Sequence, residues 1–433
     1  MIRATAKGFR LHIGFFGRRN VGKSSLLNAI TQQKVSIVSD VAGTTTDPVE
    51  KPMELLPIGP VLFVDTAGVD DVGALGEQRI EKTRQAILRS DIGVLVTEAG
   101  AWTDFEEKLL EELRSHGIPV LVALNKADLR RANPEQLIRF EQEKLPFVEV
   151  VATTGEGVDG FRAKLWEIAP AEFAEKPLLL RDLVGPDETA VLVMPIDKEA
   201  PKGRIKNLQV QSIRDLLDGE ASCVVVKDAG LKRTLDNLKT PPSIVVTDAA
   251  VFEQVARITP TSIPLTAFSI LLSRLKGDLV AQTKAAVAVD LLEPGDKVLV
   301  AESCTHHPIQ EDIGRVKIPR WLEHYVGGEL DFTTVKGRDF PQDLSPYKLV
   351  IHCGACMSNR QEMMNRIHEC QSQGVPITNY GLVIAYALGI LERALEPFPE
   401  ALAAYQQAKE EHLELLAARD LSRQTESSLS LVN

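Results

Sequence analysis

The sequence predicts a three-domain α/β chain whose first domain is a doubly wound sheet. Two observations predict the class and a third the domain count. Short apolar β runs alternate with stretches of helical spacing along most of the chain. The β runs end near Gly, Asp or Thr, residues that turn a strand into a loop. A chain of 433 residues exceeds one ordinary core.

The first domain is expected over 8–172. LHIGFFG, VLFVDTAG, DIGVLVTE, VLVALNKAD and FVEVVATTG read as its strands, with EQRIEKTRQAILRS and WTDFEEKLLEELRSHG among the helices between them. PAEFAEKPLLLRDLVGPDET, with its prolines, marks a boundary. The second domain is expected over 185–262, with strands AVLVMPID, SCVVVKD and SIVVTD and a helix at NLQVQSIRDLLDG. The third is expected over 263–395, opening near PLTAFSI and holding the strands KVLVAES, YKLVIHCGAC and VPITNYG. Over 396–433 a helix through ALAAYQQAKEEHLELLAARD is expected, then a disordered tail, SRQTESSLSLVN.

Hydrophobic residues make up 44% and charged residues 25%, the composition of a soluble globular protein. A net charge of −11 argues against a nucleic-acid binder, which would need clustered Lys and Arg. No apolar run reaches membrane-span length, and MIRATAKGFRLHIGFFG lacks a signal-peptide core. Five cysteines, an odd count that includes a CxxC, suggest a reducing compartment, so a cytoplasmic location is expected.

GRRNVGKS, residues 17–24, matches GxxxxGK[ST] between an expected strand and an expected helix. Gly17 and Gly22 let the backbone approach phosphate, and the amides from Asn20 and Val21 through Ser25 face it. Lys23 reaches the β- and γ-phosphates, and Ser24 offers a hydroxyl to Mg²⁺. Asp65, opening DTAG, can hold Mg²⁺ through water, and the Gly68 amide can meet the γ-phosphate. Asn125, Lys126 and Asp128 form an NKxD tetrad, the guanine-reading motif of translation-factor-like GTPases. Its Asp accepts two hydrogen bonds that adenine cannot supply. The base-stacking loop VATTGEG only approximates the usual SAxxGxG, with Val151 in place of Ser.

AGTTTD, residues 42–47, resembles the switch segment of the subfamily that includes the tRNA-modification GTPase MnmE and the ribosome-assembly GTPases Era and Der. That resemblance implies Thr45 on Mg²⁺, Thr44 beside it, and Asn20 holding K⁺ with carbonyls near Ser39 and Val41. Val69 stands where Ras-like enzymes carry the water-orienting Gln, so a monovalent cation would neutralise charge developing between the phosphates.

The second constellation is Cys304-x-His306, 45 residues, then His352-Cys353-x-x-Cys356. Cys304 and Cys353 both follow expected strands. Two adjacent strands would bring the three thiols to one sheet edge. Side-chain chemistry alone leaves a Cys₃His zinc site and an iron–sulfur cluster open, with a thiol redox pair as a third alternative. Cys223 reads as a strand core residue and Cys370 as a structural cysteine. His324 and His368 read as packing or surface residues.

Taken together, the potassium-type GTPase block, a middle domain and CxHx₄₅HCxxC resemble the HydF family of [FeFe]-hydrogenase maturation GTPases, over roughly residues 8–395. The resemblance implies a GTPase using GTP, Mg²⁺ and K⁺, and a [4Fe–4S] cluster on Cys304, Cys353 and Cys356. His306 and His352 fall on the family's motif histidines. It also implies a scaffold that receives a transient diiron precursor made with the radical-SAM enzymes HydE and HydG. That precursor is delivered to the apo-hydrogenase HydA. The middle domain would dimerise the chain. The rival function is a zinc-stapled GTPase of RNA modification or ribosome assembly.

Overall fold

The computed structural model describes residues 7–32, 48–66, 74–170, 178–196, 205–303, 312–337, 339–355 and 357–430, with backbone alone at 74–79 and 415–430. They form two compact units. One is 1–177 with 358–365, the other 178–357 with 366–433.

The first unit is built on β1 (Leu11–Phe16), β2 (Val49–Leu55), β3 (Gly59–Asp65), β4 (Ile92–Glu98), β5 (Val120–Asn125) and β6 (Phe147–Glu149), in the order β2-β3-β1-β4-β5-β6. All neighbours are parallel except β2 with β3. Its helices are α1 (Lys23–Thr31), α2 (Ala74–Ile87), α3 (Asp104–Ser115), α4 (Pro134–Gln142) and α5 (Val158–Glu167). Every residue of β1 is buried, as a parallel strand covered on both faces requires. Period-two alternation sends Leu11, Ile13 and Phe15 toward Leu26, Ile30 and Phe161 of α1 and α5. Phe16 goes the other way, toward Leu109, Leu113 and Phe140 of α3 and α4. Thr103 and Glu106 close a capping box at the start of α3.

β2 has no counterpart among the expected strands. VEKPMEL is mostly charged or half-exposed and carries Pro52. At a sheet edge neither an apolar pattern nor every ladder donor is required, so a strand forms there all the same.

The second unit holds two parallel four-stranded sheets. The first comprises β7 (Thr189–Val193), β8 (Ser222–Val226), β9 (Ile244–Thr247) and β10 (Leu265–Ala267), ordered β10-β9-β7-β8. α6 (Asn207–Asp218), α7 (Leu231–Asn237) and α8 (Phe252–Ile258) connect them. β10, from PLTAFSI, pairs with β9, so the sheet extends beyond residue 262, where the sequence reading begins the third domain. Cys223 is not a core residue. β8 is an edge strand without a fully buried residue, because only β7 flanks it.

The last sheet comprises β11 (Lys297–Glu302), β12 (Asp331–Lys336), β13 (Leu349–His352) and β14 (Ile377–Asn379), ordered β12-β11-β13-β14. Around it lie α9 (Phe268–Lys276), α10 (Leu279–Ala286), α11 (Ile318–Val326), α12 (Arg360–Ser372), α13 (Tyr380–Ala387), α14 (Leu391–Leu395) and α15 (Pro399–Ser430). α15 takes in most of the tail read as disordered. From 400 to 430 no Gly or Pro interrupts it. Among the described residues no helix is long and apolar enough to cross a membrane.

Candidate functional site

The phosphate loop lies between β1 and α1, where the first sheet reverses direction. Gly17 has φ +143, and a Cβ there would sit 2.1 Å from the Val96 carbonyl oxygen. Gly22 has φ +94, and its Cβ would sit 2.1 Å from Asn125 Nδ2. Only glycine fits either position. Asn20 is exposed with φ +61, and Val21 is buried beneath the loop.

Lys23 is buried and donates to the carbonyls of Gly17 and Arg18 at 2.9 and 2.7 Å. The ammonium is thus held inside the loop. Ser24 Oγ donates to Asp65 Oδ2 at 2.6 Å, which joins two of the expected Mg²⁺ groups, one in the first turn of α1 and one at the end of β3. Ser25 follows in the first turn of α1. Thr44, Thr45 and Gly68 lie outside the described residues.

Asn125 ends β5 and is a strut rather than an exposed reader. Its Nδ2 donates to Val21 O at 2.8 Å, and its Oδ1 accepts from Ala152 N at 3.1 Å. The bond to Ala152 ties the variant loop VATTGEG to the tetrad. Val151 is buried there, which suits Val in place of Ser. Lys126 has φ +56 and pairs with Glu98. Asp128 is exposed.

Cys353, the one described thiol of the second constellation, follows β13 at the carboxyl end of the last sheet. β11 lies between β12 and β13, so the chain turns one way after β11 and the other way before β13. Ligand crevices of open α/β sheets form at such reversals. Ala301 pairs with His352, and Cys353 N donates to Ala301 O at 2.9 Å. Ser303 N donates to Cys353 Sγ at 3.1 Å. Cys304, His306 and Cys356 themselves lie outside the described residues. Among the described residues no group of three or more metal-ligating side chains occurs.

His352 is fully buried. Its Nδ1 is 2.7 Å from Cys353 O and its Nε2 is 2.7 Å from Arg366 Nη1. A guanidinium only donates and a carbonyl only accepts, so Nδ1 donates to Cys353 O and Nε2 accepts from Arg366. Arg366 also donates to Gly337 O at 2.7 Å, and Lys276 donates to Ala355 O at 3.1 Å. Sequence reasoning missed both cations, because nothing local to Lys276 or Arg366 signals a neighbour 79 or 14 residues away. The Ser303 amide aimed at the Cys353 sulfur suits a thiolate bound to a metal group, and the Lys276 ammonium donates to the turn that follows.

Cys370 is fully buried and its thiol is pushed up to about 12 by burial, as suits a structural cysteine. His324 and His368 are exposed.

Comparisons with known proteins match three successive stretches of the chain. Residues 12–126 match the 50S ribosome-binding GTPase model. GTPase Der of Wolinella succinogenes is 37% identical over 168 residues, 36% of this chain and 36% of that protein. The tRNA modification GTPase MnmE of Chromobacterium violaceum is 34% identical over 185 residues, 41% of this chain and 40% of that protein. The chain thus spans well under half the length of these curated relatives. A crystal structure of Aquifex aeolicus Era bound to GDP and AlF₄⁻ aligns at TM-score 0.34 and 20% identity, covering 50% of this chain and 92% of that one. Residues 179–277 match the hydrogen maturase F dimerization domain and residues 280–397 its tetramerization domain, together half of the chain. With a GTPase domain ahead of both, the chain belongs to the hydrogen maturase F (HydF) family.

Proposed function

We propose that the chain is a GTP-hydrolysing iron–sulfur scaffold that carries a diiron precursor from the radical-SAM enzymes HydE and HydG to the apo-hydrogenase HydA. The observation that carries this reading is the Ser303 amide on the Cys353 sulfur at the reversal point between β11 and β13. Cys304, Cys353 and Cys356 would hold a [4Fe–4S] cluster. A cluster on three thiolates supplies one iron with an exchangeable position for cargo. Family membership supports the same reading.

Nucleotide handling follows from the residues at hand. Lys23 would move from the loop carbonyls to the β- and γ-phosphates. Ser24, Asp65 and Thr45 would hold Mg²⁺, and the Gly68 amide would meet the γ-phosphate. Asp128 would read guanine, with Asn125 bracing the loop. Asn20 would hold K⁺ where charge builds between the phosphates. Hydrolysis then acts as a switch through the segments around Thr45 and Gly68, not as chemistry on the cluster.

Self-association is stated by the family domains, and a homodimer is the form proposed. The β8 edge supports it. Val225 is 44% exposed there, and α6 exposes Val210 and Leu217. Thiolate chemistry supports a cytoplasmic location.

The test is metal analysis of protein purified without oxygen and reconstituted with iron and sulfide. About four irons per chain, with a reduced-cluster EPR signal lost in Cys353→Ser, supports the scaffold. Stoichiometric zinc without that signal sinks it and favours the zinc-stapled GTPase.

A further inference from the structure

Arg18 is the second residue of the phosphate loop, and its carbonyl receives the Lys23 ammonium at 2.7 Å. Its side chain leaves the loop and ends on the start of α3. Arg18 Nε donates to Glu106 Oε1 at 2.9 Å, Nη2 donates to Thr103 Oγ1, and the guanidinium lies 4.9 Å over the Phe105 ring. Glu106 is fully buried. Its other oxygen, Oε2, accepts from Thr103 N at 3.0 Å and from Thr103 Oγ1 at 2.7 Å. One carboxylate thus closes the capping box of α3 and holds the phosphate loop.

The cap alone does not require a charge. A capping box forms with Gln as well as with Glu. Burying a carboxylate costs desolvation that a neutral amide avoids. Arg18 answers that charge with two donors in a planar fork, which a lysine does not have. Position gives the clamp its purpose. Gly17, Asn20 and Gly22 all have positive φ, so the loop keeps a backbone that must be held. From β5, Asn125 holds the Val21 carbonyl. From α3, Glu106 and Thr103 hold Arg18. The loop is braced on both flanks, with Arg19 and Asn20 between the braces. A loop fixed beforehand needs no ordering when GTP arrives.

We infer that Arg18, clamped by Glu106, is a positioning residue for GTP hydrolysis, fixing the turn from which Lys23 meets the phosphates. This inference rests on GTP hydrolysis by the first unit and not on the thiol site.

The experiment uses the full chain in K⁺ buffer, as wild type, Arg18→Met, Glu106→Gln, the double variant and Arg18→Lys. Steady-state GTP turnover and thermal melting are measured. Glu106→Gln keeps the cap but sets an amide N–H against the Arg18 donors. In Arg18→Met and in Glu106→Gln, kcat should fall about tenfold, as expected when a charge-stabilising group is misplaced. KM for GTP should stay within about twofold, because the NKxD tetrad is untouched. The double variant should be no slower than either single one, since both remove the same interaction. Arg18→Lys, which keeps one donor, should recover part of the loss. Wild-type kcat in Arg18→Met, or losses that multiply in the double variant, overturns the inference. So does a raised KM at unchanged kcat, which marks plain binding. If Glu106→Gln melts early, Arg18→Met and Arg18→Lys decide by the same kcat and KM readings, because the Arg18 side chain is 38% exposed and lies outside the cap. A wild-type chain that turns over no GTP overturns the hydrolysis reading, and this inference with it.

Discussion

Asn125 Nδ2 donates to the Val21 carbonyl at 2.8 Å across 104 residues of chain. The bond joins the base-reading strand end to the phosphate loop, and Ala152 N on the same side chain adds the base-stacking loop. Three segments that must close around one nucleotide share one buried amide.

Asn125→Ala removes both bonds and leaves a buried carbonyl and amide without them, at about 1–3 kcal/mol each. The expected result is GTP affinity weakened by about tenfold or more, read by fluorescent-nucleotide titration. Gly22→Ala should do worse, since its Cβ would collide with the Asn125 amide at 2.1 Å and φ +94 strains it further. Wild-type affinity in Gly22→Ala would contradict the packing described.

Lys23→Ala should lower GTP turnover by on the order of 10²- to 10³-fold, the range for losing one charge-stabilising donor. Iron content after reconstitution should stay at the wild-type level. Phosphate release and an iron assay on the same preparation check both. Loss of iron together with turnover would argue against separable sites.

Potassium supplies a third check. GTP turnover should be about 10²-fold faster in K⁺ than in Na⁺ at equal ionic strength, and Asn20→Ala should remove the difference. Equal rates in both salts would remove Asn20 from the cation site.

His12 ties pH to stability. It is buried on β1, with ring nitrogens 3.2 and 3.0 Å from the Arg89 and Lys7 carbonyls. Burial lowers it from 6.5 to about 4, against the Lys7 carbonyl, which pulls it up. Unfolded, the ring takes its proton near 6.5. Folded, it takes one only near 4. Between those values the unfolded state holds the extra proton, so stability falls as pH drops through this window and is flat above it. The loss is at most about 3 kcal/mol. Thermal melts from pH 7 to 4 should show this slope, and His12→Gln should flatten it.

The phosphate loop was readable from the sequence because it is a short motif with local geometry. GRRNVGKS contains the glycines its turn demands, and the donors lie within one helical turn of them. The strands beneath were readable too, because parallel strands buried on both faces leave unbroken apolar runs such as LHIGFF and VLVALN. β2 escaped for the opposite reason, since an edge strand can be polar and carry Pro52. Cys223 was misjudged because SCVVV reads as core, while burial depends on whether a neighbouring strand covers it.

The sequence by itself determined the fold class and a GTPase domain with its phosphate loop, and it offered a guanine tetrad and a thiol constellation as expectations. Tertiary structure alone decided which residues brace them. Asn125 as a strut, His352 fixed by Arg366, and Lys276 on the CxxC turn all depend on contacts between segments far apart in the chain. A motif sets its own backbone angles and donors within a few residues. A buried side chain's partner is set by how whole elements pack, which no local pattern records.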